Sequence, residues 1–308
     1  MIWNPERNRE QASLVASTYQ DARGVPCERQ AVVVGGLPGA DKAAVLRAAG
    51  ADQSWYFTIS IDKILHEMAA RNLIPVVEGL TPMDVADLAH TEAQVLAKRA
   101  GLRAMADGRN LIWDVSMASL PATRALLDAL RLADYRVKAL FADLTIEESV
   151  RRAGCAHRRG HDEYLAGRGF GGRYIPPEAI RALALPAQQR APTTAPARPS
   201  AAGNTLRNGG FPGGEVTSMI DAYHAGSISR EDLARRFRTR TWPAIPPACP
   251  REMSAAAPAV DDPEPYVPGS FDDVVLAYDL GKLTDPDYQQ LAKAARSAGP
   301  GQLLRVES

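Results

Sequence analysis

The chain has few cysteines and no excess of either charge. Its three cysteines, Cys27, Cys155 and Cys249, show no C-x-x-C spacing, which argues against a disulfide framework and against a zinc site. The 36 basic and 36 acidic residues cancel, so composition gives no reason to expect binding to nucleic acid or to an anionic membrane surface. Any anion-binding site must therefore be local.

Long apolar runs are also missing. No stretch approaches the roughly 18 apolar residues of a membrane span. The N-terminus, Met1-Ile-Trp-Asn-Pro-Glu-Arg, is polar where a signal peptide needs an apolar region. We therefore expect a soluble, unprocessed protein in a reducing cytoplasm, with no membrane partner.

Short apolar runs alternate with longer helical stretches between about residues 4 and 180. Strands are predicted over 31–34, 56–61, 110–115 and 137–142. Helices are predicted over 42–49, 62–71, 82–106, 122–133 and from 146 to about 157. This alternation predicts an α/β fold in three layers, with helices on both faces of a parallel sheet.

Composition divides the chain into further parts. Stretches rich in Pro, Ala, Gly and Ser are typical of linkers. The predicted parts are an N-terminal helix in 1–29, the α/β domain in 30–184, a linker in 185–214, a helical hairpin in 215–243, a Pro-rich linker in 244–268, and a second helical hairpin and tail in 269–308.

The two helical hairpins look like a repeat. Each predicts a helix that ends at a glycine, followed by a Ser or Thr N-cap three residues before an Asp. These positions are Gly226, Ser229 and Asp232 in one copy and Gly281, Thr284 and Asp287 in the other. Because so small a hairpin cannot bury its own apolar face, each copy is expected to dock on the main domain, on its twin or on another protein. The alternative is a poorly ordered appendage with transient helices.

The segment 31–43 reads as an apolar strand that runs into a phosphate-binding loop. Such loops follow G-x-x-x-x-G-K-[ST], in which backbone N–H groups and the Lys bind phosphate and the hydroxyl binds Mg²⁺. Gly36 opens the loop and Lys42 closes it, but Asp41 stands at the second glycine position and Ala43 at the hydroxyl position. The candidate ATP-binding residues are Gly36, Pro38, Gly39, Ala40, Asp41, Lys42 and Ala43. A structural Gly-Pro-Gly turn is the alternative.

Two carboxylates follow predicted strands. Asp62 ends the second strand and Asp114 the third, so both should lie at the carboxyl edge of the sheet, where open α/β folds bind ligands. Asp114 is a candidate Mg²⁺ ligand, as in a Walker B motif. The alternative for Asp62 is an N-cap of the helix that follows.

An Arg-rich stretch follows the fourth strand. Its cationic residues are Arg151, Arg152, His157, Arg158, Arg159, Arg168 and Arg173. Guanidinium groups match phosphate oxygens, and the glycines of 167–173 suit a mobile lid, although a solvated helix face is the usual alternative.

On the long helix, His90 and Glu92 should point to different faces and not share a metal ion. His90 is then a packed or surface residue.

Taken together, these residues resemble the zeta toxin family of P-loop kinases, in a variant with a degenerate Walker A motif. The likeness lies in Gly36-Leu-Pro-Gly-Ala-Asp-Lys42, in 61–68, 80–93 and 110–117, and in 158–176. The resemblance implies a P-loop kinase fold that transfers the γ-phosphate of ATP, with Mg²⁺, to UDP-N-acetylglucosamine or a similar nucleotide sugar. A candidate protein partner is an antitoxin or another protein, bound through the C-terminal helical repeats.

The resemblance also implies roles for individual residues. Asp62 matches the catalytic base and Lys42 the P-loop lysine, and Arg173 matches a lid arginine. Substrate-binding positions are matched by Asp62, Glu92, Asp114 and Ser116, and Arg158 is a further candidate catalytic arginine.

Three departures lie on the phosphate side of the site. Asp41 and Ala43 replace a Gly and a hydroxyl residue, and Ala156 stands where similar sequences carry an Arg just before the His-Arg pair. Three readings stay open: an attenuated nucleotide-sugar kinase, a pseudokinase that binds a nucleotide sugar or a protein without turnover, and a kinase of another nucleotide such as NAD.

Overall fold

The computed structural model describes residues 4–188, 211–243 and 261–298. In these residues four parallel strands form one sheet, in the order β2-β3-β1-β4. Their bounds are β1 Gln30–Gly36, β2 Phe57–Ser60, β3 Leu111–Asp114 and β4 Arg136–Ala142. All four predicted strands are present within a residue or two, and the predicted α/β fold is confirmed.

Seven helices of the described chain surround or follow this sheet. They are α1 Pro5–Thr18, α2 Lys42–Ala48, α3 Ile61–Ala70, α4 His90–Ala106, α5 Leu120–Leu132, α6 Ile146–Leu165 and α7 Pro177–Gln188. None of the helices in the described ranges combines the length and apolar character that crossing a bilayer requires.

Alternate residues of β1 explain the three layers. Ala31 and Val33 are buried in the large core that α1, α3, α4 and α5 share, whereas Val32 and Val34 are buried in a smaller core with Leu46 of α2. Successive side chains of a strand point to opposite faces, so the apolar run of β1 needs cover on both sides.

Two helix boundaries differ from the sequence-based prediction. The helix expected from residue 82 begins at His90. Before it, Thr81 and Asp84 form a closed turn in which each accepts the other's backbone N–H, and a 3₁₀ helix covers Ala86–Ala89. The helix expected to end near 157 continues to Leu165, and Gly160 inside it lies against the backbone of Gly172, where a Cβ would come 2.5 Å from the Gly172 Cα.

The repeated segments fold as two helical hairpins. They contain α8 Glu215–His224, α9 Arg230–Thr239, α10 Asp272–Asp279 and α11 Asp285–Arg296. Gly226 and Gly281 both have φ 73°, and Ser229 and Thr284 accept the predicted capping bonds. The predicted turns and caps are therefore confirmed. The apolar faces of the two hairpins pack together and form one shared core, which includes the buried Phe237.

Buried ion pairs fix the second hairpin to α4. The guanidinium of Arg99 donates to both carboxylate oxygens of Asp279 at 2.9 and 2.6 Å, and Lys98 Nζ lies 2.9 Å from Asp272. Removing one partner of such a pair typically costs about 3–5 kcal/mol. The hairpins thus dock both on each other and on the main domain; a contact with another protein stays a prediction.

The Pro-rich segment assigned to a linker is docked over its described part, residues 261–268. The Asp262 carboxylate accepts the backbone N–H groups of Met117 and Ser119 at 2.8 and 2.7 Å, and Ser116 N donates to the Asp261 carbonyl at 3.2 Å. Composition did not predict this docking, because an extended segment held by carboxylate and backbone bonds needs no apolar periodicity.

Parts of both predicted linkers and of the tail lie outside the described residues. These parts are residues 189–210, residues 244–260 with Cys249, and residues 299–308.

Asp273 gives the stability a pH dependence. Its carboxylate accepts bonds from the Tyr266 hydroxyl at 2.7 Å and from Gly269 N at 2.8 Å, and burial raises the pKa of Asp273 to about 6. The folded protein therefore binds this proton more tightly than the unfolded chain, whose carboxyl has a pKa of about 4. The resulting stabilisation is complete below about pH 4 and is lost as the pH rises through about 6.

We expect the free energy of unfolding of the wild type, relative to that of Asp273→Asn, to fall by about 2 kcal/mol between pH 4 and pH 6. Urea unfolding of both proteins across this range measures the difference. A difference independent of pH would show that Asp273 titrates like an exposed carboxyl group.

Candidate active site

The strand register brings three strand ends together. Asp114 at the end of β3 pairs with Ser60 at the end of β2 and with Val34 of β1. The residues that follow these ends border a cavity of about 590 Å³. Its lining includes Gly36, Pro38, Gly39, Ala40, Asp41, Lys42, Ala43, Asp62, Asp114, Ser116, Ala156, Arg159, Arg173 and Asp261. The carboxyl edge of the sheet is thus the candidate site, as the strand pattern predicts.

Lys42 is bound to the strand β3 acid. Its Nζ donates to Asp114 Oδ1 at 2.6 Å and to the Val115 carbonyl at 3.0 Å. Burial raises the pKa of Asp114, although the charge of Lys42 opposes the rise. Lys42 thus places a cation beside the half-buried Asp114 carboxylate. A bound phosphate would take the lysine of this pair, and its metal ion would take the carboxylate.

Asp114 fits a Mg²⁺ ion. Proteins usually hold Mg²⁺ with one or two carboxylates together with waters and substrate phosphates, so one carboxylate in a phosphate cavity suffices. Within the described ranges no three His, Cys, Asp or Glu side chains are grouped closely enough to hold a metal ion among themselves. A Mg²⁺ ion held there would neutralise charge on the phosphate oxygens.

Helix α6 holds the loop in place. Ser149 Oγ donates to the Pro38 carbonyl at 2.6 Å, and Arg152 Nη1 donates to the Gly39 carbonyl at 3.3 Å. Gly39 has φ +76°, and a Cβ there would come 2.7 Å from the Arg152 Cβ. A glycine is required here both by the backbone conformation and by the close approach of α6.

Asp41 caps the helix that follows the loop. Its carboxylate accepts the backbone N–H of Ala44 at 2.8 Å, as N-cap carboxylates do. This N–H belongs to the first turn of α2, where a P-loop offers its donors to phosphate. Ala43 adds no hydroxyl. The loop therefore uses one donor on its own carboxylate and places a negative charge where phosphate would bind.

Asp62 and Arg173 meet on the cavity wall. Helix α3 begins at Ile61 with Ser60 as its N-cap, so Asp62 is not the capping residue. Instead, Arg173 Nη1 donates to Asp62 Oδ1 at 2.7 Å while the Asp62 side chain stays half-exposed. Burial alone would lower the pKa of Arg173, but the charges of Asp261 and Asp62 outweigh burial and raise it. The guanidinium is permanently charged here.

Two further predicted residues differ in placement. Ser116 is buried on the cavity wall, and its Oγ accepts the Ala118 N–H at 3.1 Å. Arg158 is exposed, with Nη2 3.3 Å from Cys155 Sγ, whereas the next residue, Arg159, lines the cavity. Neighbouring residues of a helix point about 100° apart, so only one of the two arginines can face the cavity. A catalytic role for Arg158 stays a prediction.

The Gly-rich segment after α6 packs closely against its neighbours. The Phe170 carbonyl accepts the Met83 N–H at 3.1 Å. A Cβ at Gly172 would collide with the His157 carbonyl oxygen, and one at Gly171 with the Thr81 hydroxyl. The glycines therefore allow close packing that brings Arg173 to the cavity. Movement of this segment as a lid stays a prediction.

Glu92 and His90 point to different partners, as predicted. The Glu92 carboxylate accepts bonds from Arg7 at 2.8 and 2.7 Å and from Gln11 at 2.7 Å, and Glu92 is not among the residues that line the cavity. Its assignment to substrate binding stays a prediction. His90 Nε2 lies 2.9 Å from Asp261 Oδ1. Asp261 is the cavity residue that the sequence did not indicate.

Fold and site together define an α/β protein of the P-loop kinase class. A family model described as Zeta toxin matches residues 17–197, more than half of the chain. The chain belongs to the zeta toxin family, whose members are P-loop kinase-like proteins that generally use ATP and Mg²⁺. None of the curated proteins matches the chain.

Proposed function

We propose that the protein is an ATP-dependent kinase that transfers the γ-phosphate to a hydroxyl group of a nucleotide sugar such as UDP-N-acetylglucosamine. The observation that carries this proposal is one cavity lined by the loop lysine Lys42, the acids Asp62 and Asp114, and Arg173. Catalysis of phosphoryl transfer consists mainly of positioning and charge neutralisation. This set of side chains supplies both.

In the proposed mechanism each residue acts at one end of the cavity. Lys42 leaves Asp114 to bind the outer phosphates of ATP, and Asp114 is then free to hold Mg²⁺. Asp62 accepts the proton of the attacking hydroxyl, which a half-exposed carboxylate can release to water afterwards. Arg173 neutralises the charge that develops on the transferred group.

A second candidate function is favoured by the capped loop. The bond from Ala44 N to the Asp41 carboxylate occupies a phosphate donor, so a pseudokinase that binds the nucleotide sugar without turnover fits the same cavity.

Calorimetry and turnover together separate the two functions. We expect the full chain to bind UDP-N-acetylglucosamine and to form ADP from ATP only when that sugar nucleotide is present. Sugar-nucleotide binding without ATP binding would establish the pseudokinase instead. If labelled phosphate appears only on another metabolite of a nucleotide panel, such as NAD, the protein is a kinase of that metabolite and not of the nucleotide sugar.

A further inference from the structure

The C-terminal segment places a carboxylate in the cavity of the kinase domain. Asp261 Oδ1 accepts a bond from Arg173 Nη1 at 2.9 Å, the same nitrogen that donates to Asp62 at 2.7 Å. Burial would raise the pKa of Asp261, but Arg173 and the bond from His90 hold that pKa well below its usual range. Asp261 is therefore a permanent negative charge beside the candidate base and the candidate lid arginine.

The position of Asp261 is fixed from several sides. The Ser116 N–H holds its carbonyl, and its neighbour Asp262 holds the loop after β3 through Met117 and Ser119. Burial raises the pKa of Asp262, although these two N–H bonds oppose the rise. Because the segment is anchored on both backbone and side chain, the Asp261 carboxylate has little freedom to move.

Asp261 and Asp62 together restrain one nitrogen of Arg173. The arginine side chain is only 8% exposed, and Asp87 lies 3.4 Å from its other terminal nitrogen. Its Nε is buried and has no hydrogen-bond partner among the described residues. An unpaired buried N–H typically costs about 1–3 kcal/mol. The guanidinium is held in place by the three carboxylates despite this cost.

We propose that Asp261 is a positioning residue that fixes Arg173 at the acceptor end of the cavity, so that the C-terminal segment completes the active site; this inference rests on the proposed kinase function. Without Asp261, Arg173 keeps Asp62 as its nearest charge, with Asp87 farther away, and pairs with Asp62 more tightly. That tighter pair occupies the base and draws the guanidinium away from the transferred phosphate.

A double-mutant cycle in the full chain tests the inference. The proteins are the wild type, Asp261→Ala, Arg173→Ala and the double variant, with Asp221→Ala as a control. Asp221 is a half-exposed acid of α8, outside the cavity, and it pairs only with Lys282 among the described residues. We expect Asp261→Ala to lower kcat about 10- to 100-fold, the scale of a 1 Å misplacement, and to leave the KM for ATP unchanged. In the Arg173→Ala background, the same change should alter kcat less than about twofold.

A purely structural role predicts a different pattern. It would lower kcat equally in both backgrounds, and that result would overturn the inference. So would an unchanged kcat in Asp261→Ala.

Thermal unfolding of the same proteins needs no substrate. We expect the decrease in Tm of the double variant to be smaller than the sum of the two single decreases, since both single changes break the same pair. Additive decreases would show that the pair does not form in solution and would also overturn the inference. If the wild type neither binds nor phosphorylates UDP-N-acetylglucosamine while the Tm changes are coupled, the proposed function fails, whereas the holding of Arg173 by Asp261 stands.

Discussion

The Asp62→Asn variant is expected to lose about 10²-fold or more of the wild-type kcat for phosphorylation of the sugar nucleotide, at an unchanged KM for ATP. Removing a general base typically costs 10²- to 10⁴-fold, roughly. The lower end of that range applies because a loose transition state needs the base only modestly. The amide side chain of the variant would keep the shape of the carboxylate but could neither accept the hydroxyl proton nor offer Arg173 a charge.

The matched control for this variant lies on the same helix. Glu67→Gln removes one carboxylate charge from α3 at a position that does not line the cavity. We expect its kcat to stay within about twofold of the wild type, as for surface changes away from a site. Kinetics with varied sugar nucleotide at saturating ATP measure both variants. Equal activity of Asp62→Asn and the wild type would remove Asp62 from the mechanism.

The second large effect is a gain. We expect the double change Asp41→Gly/Ala43→Thr to tighten ATP binding by between about tenfold and a hundredfold and to raise turnover. Two charges about 6 Å apart repel by about 3 kcal/mol at an effective dielectric of 20, which is about a hundredfold in affinity. Because Asp41 is exposed, solvent screening reduces this repulsion. We therefore expect a gain in ATP affinity nearer to about tenfold than to a hundredfold.

The same change should leave the fold intact. Replacing an N-cap Asp by Gly costs only a few tenths of a kcal/mol, roughly, and it frees the Ala44 N–H for phosphate. A threonine in place of Ala43 restores the hydroxyl that the Mg²⁺ site of a P-loop uses.

Asp41→Asn is the control that separates charge from capping. It removes the repulsion but keeps an oxygen that can accept the Ala44 N–H. We therefore expect its ATP affinity to lie between those of the wild type and the double variant, as measured by calorimetry. ATP affinity that is unchanged in all three proteins would show that the loop substitutions are not what limits phosphate binding.

Three residues of the site were predicted from their place in the strand pattern. Lys42, Asp62 and Asp114 each lie at or shortly after the end of a recognisable strand. Because parallel strands end at one edge of the sheet, these residues come together there. Arg173 was predicted from a Gly/Arg motif instead. Where local pattern and topology agree, sequence reasoning needs no knowledge of side-chain contacts.

The parts that the sequence did not predict depend on distant contacts. Asp261 lies 88 residues from Arg173 in a Pro-rich segment, and composition of that kind is typical of linkers. Glu92 was assigned by resemblance, but its partner Arg7 lies 85 residues away on α1, which no helical periodicity reveals. The start of α4 was misplaced by eight residues, because the chain before it forms a turn and the 3₁₀ helix Ala86–Ala89 instead of an α-helix.

The docked segment that carries Asp261 also imposes an order on the synthesis of an active molecule. Arg173 leaves the ribosome 88 residues ahead of Asp261, and translation adds about 5–20 residues per second. For roughly 4–18 s the nascent α/β domain therefore holds its loop, Asp62 and Arg173 without the last wall of the cavity. If the protein is a kinase and Asp261 positions Arg173 as proposed, full activity requires the segment that carries Asp261, and a chain released before it remains a weak kinase.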